Sequence, residues 1–482
     1  MIAPPPPQSA AHPPLRLGRR ALALAPGVLA VRGLAFLVPI AVTWTFGAGI
    51  VSDAWFAGLA VPTAVVVVVL NATSLVGPPA LGGRPLHFRS ELVRIVRTSL
   101  GWTLAAGAVA LVAFFGLCQS MPGLDPDFAF RAPTLAAALF PWMGVVAITS
   151  ALRSACEVRG LFYASTLAPL ARATVTLTLV LGSGARLAGL PIAWTLGALA
   201  ELVVLRWALG PLPPDLAADA PPLVPLGPVL LGESMVAGNL LVDRAFAATL
   251  GPGTLTVLDV ADRVRLIPQI LIESTFFPVS FATWSTLAAT DSAQLPRAVG
   301  VGLRQVAGVA APVLAGLWIG RRPIVGLLAR GAFTPADAEA AAAILAGYLP
   351  GLWALAIAAL ALRANVLAGR SQAVAWIGAW SFAANLLGNA LLAPWLGAPG
   401  LAVATSVVSF SVAGWHLFLL RRTLAAARPS AWLAVLAISG ASAALSAVVG
   451  APRSFGDPAL WLGWSVAGGL LALALLRTRT DR

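Results

Sequence analysis

Residues 241–268 read LVDRAFAATLGPGTLTVLDVADRVRLIP and set Asp243, Arg244, Asp259, Asp262, Arg263 and Arg265 among apolar residues. Such groups support two kinds of chemistry. Guanidinium groups grip phosphate or carboxylate through paired planar donors, and carboxylates hold cations or fix the arginines in place. On a helix, Asp259 and Asp262 are three apart and Asp259 and Arg263 four apart, so they share one face. Asp259 is then placed to hold Arg263, whereas Arg265 lies off that face. Asp243 and Arg244 are adjacent, point to different faces and need partners on other helices or a contact with cargo. Arg32, Asp53, Arg172, Glu201 and Glu233 are further charges within or at the ends of apolar runs. Each of the last three is as readily structural as functional.

The elements that position these charges follow from composition. The chain of 482 residues is 59% hydrophobic and only 10% charged, with mean hydropathy +0.89. That excludes a soluble globular protein and predicts an all-α integral membrane protein. A net charge of +13 would suggest nucleic acid in a soluble chain. Here arginines between spans set topology, and no nucleic-acid partner is expected. Cys118 and Cys156 fall in separate apolar segments and the histidines at 12, 87 and 416 are scattered. Neither a disulfide, a metal site nor a cofactor is expected. The proline-rich start, residues 1–20, reads as a disordered cytoplasmic tail without the apolar core of a signal peptide.

A membrane-crossing helix needs about 20 mostly apolar residues. Fourteen candidates lie near 22–46, 54–79, 98–119, 131–152, 160–182, 186–208, 224–248, 254–285, 299–320, 338–362, 372–394, 399–420, 430–450 and 458–476. The eighth is long, and Pro268 and Pro278 are expected to kink it. Connections on the side of the N-terminal tail hold twenty arginines and those on the other side six. Both termini are therefore expected in the cytoplasm. The segments FGAGIVSDAWFAGLAVP (46–62) and LGPGTLTVLDVADRVRLIP (250–268) are alike, as are GLPIAWT…VLR (189–206) and GLAVATS…LLR (400–421). Both pairs are about six spans apart. The predicted architecture is two six-helix lobes in parallel pseudo-repeat, 21–210 and 211–424, plus two C-terminal helices in 425–482. A cavity between the lobes, lined by the first, second, seventh and eighth spans and opening to alternate sides, is the expected home of the charges. Facing lipid would cost each about 2.5–3.5 kcal/mol.

The motifs LLVDRAFAATLGPGTLTVLDVADRVRLIPQ and GLLARGAFTPADAEAAAAILAGYLPGL (326–352), with FGAGIVSDAWF and FYASTLAPL (162–170), resemble the MurJ (MviN) family of lipid II flippases. The resemblance runs from about residue 28 to 424, and the last two helices fit the family's fourteen-span layout. It implies the multidrug and oligosaccharidyl-lipid exporter fold. It also implies outward movement of an undecaprenyl-diphosphate-linked cell-wall precursor across a bacterial inner membrane, in contact with membrane lipids and the cell-wall synthesis machinery. By the same resemblance Arg32 matches a cavity arginine of the first helix, Asp53 the aspartate after FGAG, and Arg263 the arginine of ADR. Asp53, near the outer end of the first span, then becomes a gate latch. Where the family carries further basic residues this chain has Val38, Val66 and Val67, and Asn71 replaces an acidic one. The cargo-binding set expected is Arg32, Arg263, Asp262, Asp259, Arg244 and Asp243.

Other functions stay open at this point. A cation-coupled exporter would use Asp243, Glu233 and Asp259 as ion ligands. A membrane-embedded glycosyltransferase or ligase would need a positioned acid/base or a metal-binding carboxylate pair at a loop. The loops opposite the termini offer only scattered carboxylates, so no enzyme is expected. A transport-inactive envelope scaffold would be consistent with the missing arginines.

Overall fold

The computed structural model describes residues 15–82, 87–182, 186–212, 227–425, 429–450 and 452–480. The first seven helices are α1 (Leu15–Phe46), α2 (Ile50–Gly82), α3 (Phe88–Ser120), α4 (Pro126–Ala138), α5 (Phe140–Val158), α6 (Phe162–Gly182) and α7 (Gly189–Leu209). Then come α8 (Gly227–Thr249), α9 (Thr254–Thr290), α10 (Leu295–Gly326), α11 (Pro335–Leu367), α12 (Ser371–Leu396) and α13 (Ala398–Leu419). A short α14 (Arg421–Ala425) leads to α15 (Pro429–Val449) and α16 (Pro458–Thr480). Among the described residues there is no strand. Only a helix satisfies every backbone polar group from within one lipid-embedded segment.

Each of the fourteen expected spans falls on a helix, and nine described segments are long and apolar enough by themselves to cross a membrane. Two details differ from expectation, the fourth span and the N-terminal tail. The fourth span is a pair, α4 and α5, broken at Leu139 just before Pro141, with Pro126 and the Asp125 side chain starting the first piece. Proline preset for a helix start ends one helix and begins the next. α9 is one helix that includes Pro268 and Pro278. The tail expected over 1–20 is already helical from Leu15, and residues 1–14 lie outside the described residues.

Packing repeats along the chain. α1 packs on α6, α6 on α7, α7 on α5, and α2 on α4 and α5; likewise α8 packs on α12, α12 on α13, α13 on α11, and α9 on α11. The starts keep step too: Ile50 with Thr254, Phe88 with Leu295, Pro126 with Pro335, Phe162 with Ser371, Gly189 with Ala398. Helix contacts between the two bundles are made chiefly by α1 and α2 with α8 and α9. These are the four spans expected there. α15 and α16 pack on α10, outside the repeat.

One apolar cluster joins the bundles near the α1–α2 turn, with Ile40, Val42, Trp55 and Phe56 from one side and Leu255, Val260 and Leu345 from the other. Along α1, residues 38–43 are buried, whereas Leu29, Ala30, Arg32, Gly33 and Ala35 are exposed. The bundles are therefore sealed at the end carrying FGAG, and α1 becomes exposed towards its other end.

Candidate functional site

The seal is built from the two repeated glycine turns. FGAG ends α1 and LGPG ends α8, and the turns lie against each other. A Cβ on Gly253 would sit 3.0 Å from the Ala48 carbonyl oxygen, and Gly253 has φ 84°. A side chain there would be both strained and crowded. With the Gly253 amide turned towards α2, Asp53 caps α9 from the other bundle. Its Oδ2 accepts from Gly253 N at 2.6 Å, and its Oδ1 accepts from Thr256 N at 2.8 Å and Thr256 Oγ1 at 2.6 Å. Asp53 is 3% exposed and Thr256 fully buried. A carboxylate at a helix N-terminus satisfies orphan amides and meets the positive end of the dipole.

Next to it Thr256 Oγ1 also lies 2.9 Å from Ser52 Oγ. Trp44, at the end of α1, donates through Nε1 to the Leu328 carbonyl at 2.9 Å and accepts from Ala332 N at 2.8 Å. Its ring also lies under Arg330. The RGAFT segment thus clasps the end of α1.

Beyond the seal, the charges of α8 and α9 form three networks. Asp259 joins both helices: Oδ1 accepts from Arg244 Nη2 at 2.7 Å and Oδ2 from Arg263 Nε at 2.5 Å. The four-residue spacing of Asp259 and Arg263 realises the shared face. The partner that Arg244 requires lies on the next helix. Asp262 turns instead to Arg265, whose Nε donates at 2.8 Å and whose guanidinium lies 4.7 Å from the centre of the Tyr348 ring. Asp243 Oδ1 accepts from Asn385 at 2.8 Å and Asn389 at 2.7 Å, while Oδ2 accepts from Thr405 at 3.3 Å.

Most of this charge faces a cavity of about 240 Å³ inside the second bundle, between α8, α9, α11, α12 and α13. Asp243, Arg244, Asp259, Asp262, Arg265 and Tyr348 line it. The expectation that all of them border the space between the bundles therefore does not hold. Arg263 is not among that cavity's lining residues and keeps 24% of its side chain exposed. Arg32 is exposed on α1 and forms no ion pair among the described residues. Val38 and Val66 are buried in apolar packing, and Val67 is exposed. The side chain of Glu233 lies outside the described residues. No group of three or more His, Cys, Asp or Glu able to hold a metal is found among the described residues.

Sequence reasoning missed Ser52, Thr256, Trp44, Tyr348, Asn385, Asn389 and Thr405. The one signal available was the spacing of Asn385 and Asn389, four apart in an otherwise apolar helix. Two amides on one face of a lipid-embedded segment require a polar partner.

Three comparisons bear on this arrangement. The sequence profile described as lipid II flippase MurJ matches residues 42–455. A protein of Vibrio cholerae serotype O1, named probable lipid II flippase MurJ, is 28% identical over 260 residues, 51% of this chain and 47% of the relative. The chain thus spans about half the length of that curated relative. A solved structure of lipid II flippase MurJ in an inward closed conformation superposes with TM-score 0.74 at 16% identity, covering 95% of this chain and 98% of that one. An inward-facing multidrug resistance transporter of the MATE family gives TM-score 0.66 at 13% identity, covering 83% and 98%. Those likenesses show the fold, which multidrug transporters share, while the profile match over most of the length shows kinship. The chain belongs to the lipid II flippase MurJ family.

Proposed function

We propose that this protein carries an undecaprenyl-diphosphate-linked cell-wall precursor from the inner to the outer leaflet of a bacterial inner membrane by alternating access. One observation carries the reading: the bundles are latched at the FGAG end by Asp53, while α1 is exposed towards its other end, Arg32 included. Arg263, partly exposed on α9, is the arginine of the second bundle that meets the headgroup. Asp259 positions it, and the Arg244–Asp259 pair ties that positioning to α8. With both termini cytoplasmic, as the arginine distribution indicates, the latch closes the outer end and the open end admits cargo from the cytoplasm. The chain is read as a transporter, not an enzyme, supplying the cell-wall synthesis machinery.

Membrane potential is a sufficient driving force. A diphosphate lipid carries roughly two negative charges, and moving them outward releases up to about 4.6 kcal/mol at 100 mV. Arginines that stay in the protein leave that drive intact. The test uses proteoliposomes with labelled lipid-linked oligosaccharide and a potassium-diffusion potential. Flipping that follows the potential supports the reading. A second reading, cation coupling, is favoured by Asp243. Around it, the side-chain oxygens of Asn385 and Asn389 are buried and take no hydrogen bond. Flipping that ignores potential and stops without a sodium or pH gradient would establish that reading in place of the first.

A further inference from the structure

The first bundle holds a group of charges that the latch and the α8–α9 networks do not use. Glu201 on α7 is fully buried, and two arginines converge on it: Arg153 of α5 pairs with Oε1, and Arg172 of α6 lies with Nη1 3.3 Å from Oε2. The sequence prepares this meeting. Gly197 stands one turn before Glu201, and a Cβ there would fall 2.1 Å from Thr176 Oγ1 and 2.8 Å from the Arg172 carbonyl oxygen. Without a side chain at 197, α7 sits close enough to α6 for Glu201 to reach Arg172. Arg32 on α1 also lies close enough to act on the Arg172 charge. Glu157, one turn beyond Arg153, acts on that arginine.

The balance is uneven. Arg153 and Arg172 meet the single buried carboxylate of Glu201, with Arg32 near Arg172 and Glu157 near Arg153, so positive charge is left over inside an apolar belt, where uncompensated charge is costly. Exposure is uneven in a telling way. Glu201 is fully buried, while Arg153 and Arg172 keep 25% and 32% of their side chains exposed and Arg32 is exposed. The carboxylate is the inner anchor and the guanidinium groups reach outwards. At 1.5 Å per residue, Arg172 stands about 15 Å along α6 from Phe162, and Arg153 about 8 Å from the end of α5. Arg153 lies towards the end opposite the latch, and Arg172 stands at the middle of α6.

We propose that Arg32, Arg153 and Arg172 form a second anion site, which takes the phosphate-bearing headgroup of a lipid entering from the open end. Two source lipids share that chemistry, the diphosphate-linked cargo and an anionic phospholipid of the same leaflet. Buried Glu201 orients the arginines without neutralising them, and planar guanidinium groups suit phosphate oxygens. Assigning the site to cargo rests on the flippase reading above; assigning it to phospholipid does not.

The test uses the full-length protein and native mass spectrometry with two probes: undecaprenyl-diphosphate-linked disaccharide-pentapeptide, and phosphatidylglycerol compared with phosphatidylethanolamine. Arg172→Gln is expected to weaken one of the anionic lipids about ten- to a hundredfold and to leave phosphatidylethanolamine unchanged. The probe that weakens identifies the source. The double variant R172Q/E201Q removes both members of the pair. If Arg172 only neutralises Glu201, the double variant regains wild-type affinity, which overturns the site; binding that stays weak supports it. Wild type that binds the diphosphate lipid, with Arg172→Gln binding both anionic probes equally well, overturns this site alone. Wild type that binds no diphosphate lipid overturns the flippase reading, and the phosphatidylglycerol arm still decides the site.

Discussion

Replacing Asp53 by asparagine should release the seal between the bundles. The carboxylate accepts three hydrogen bonds from Gly253 and Thr256, and each bond to a charged group contributes about 1.5–3 kcal/mol net. Asparagine keeps one oxygen for Thr256 but turns an amide donor towards the Gly253 N–H, so that bond is lost outright. The favourable meeting of charge with the α9 N-terminus, about 0.3–1 kcal/mol, disappears as well. The latched arrangement should lose about 2–4 kcal/mol, which changes its population ratio by roughly 30- to 1000-fold. A two-state transporter whose latched state is favoured by less than that margin becomes mostly unlatched. The assay is the rate at which a membrane-impermeant maleimide labels Ala48→Cys, which packs against Gly253. The native Cys118 and Cys156 are buried. Labelling should be slow in the parent and much faster with Asp53→Asn. Equal rates at matched expression and melting temperature would refute the latch.

Four more outcomes follow from the structure. Trp44→Phe removes the donor to Leu328 and should shift labelling in the same direction by about 1 kcal/mol, roughly fivefold. Arg263→Gln should abolish flipping with little change in melting temperature, because Asp259 keeps Arg244. Arg265→Gln should instead lower the melting temperature by stranding Asp262, a loss of about 3–5 kcal/mol; equal flipping by both well-folded variants would sink the role given to Arg263. Gly197→Ala should destabilise the α6–α7 contact by about 1–3 kcal/mol, seen as a lower melting temperature in detergent. A melting temperature equal to the parent's would show that α6 and α7 give way without loss.

The helices were legible because hydrophobic runs of the length a bilayer demands leave little choice of structure. Their ends were less so: FRSELVRIVR extends α3 back to Phe88 although its charges suggested a loop. On the site, contacts one helical turn apart could be read directly, as for Asp259 with Arg263. Contacts set by tertiary packing could not. Nothing in the order of residues pairs Asp53 with an amide 200 positions on, or Asp243 with Asn385 and Thr405. Asp262 shows the limit of periodicity, since its three-residue spacing suited both Asp259 and Arg265, and packing against Tyr348 decided for the second. Arg153 stood in a presumed loop between spans, yet it reaches Glu201.

The two glycine turns give the latch a near symmetry. Counting from FGAG and LGPG, Gly49 corresponds to Gly253 and Ser52 to Thr256, and those last two residues touch. A contact between equivalent positions marks a local two-fold axis, as in the isologous interface of a homodimer. Asp53 corresponds to Val257, and there the symmetry ends. If both halves carried the aspartate, two carboxylates would crowd one buried junction and repel each other. With valine in the second half, α2 supplies the charge and α9 the donors, while Ser52 accepts from Gly49 N in the turn just before its own helix. A duplicated surface has thereby become a lock with distinct key and keyhole, in which a change to either half alters the whole.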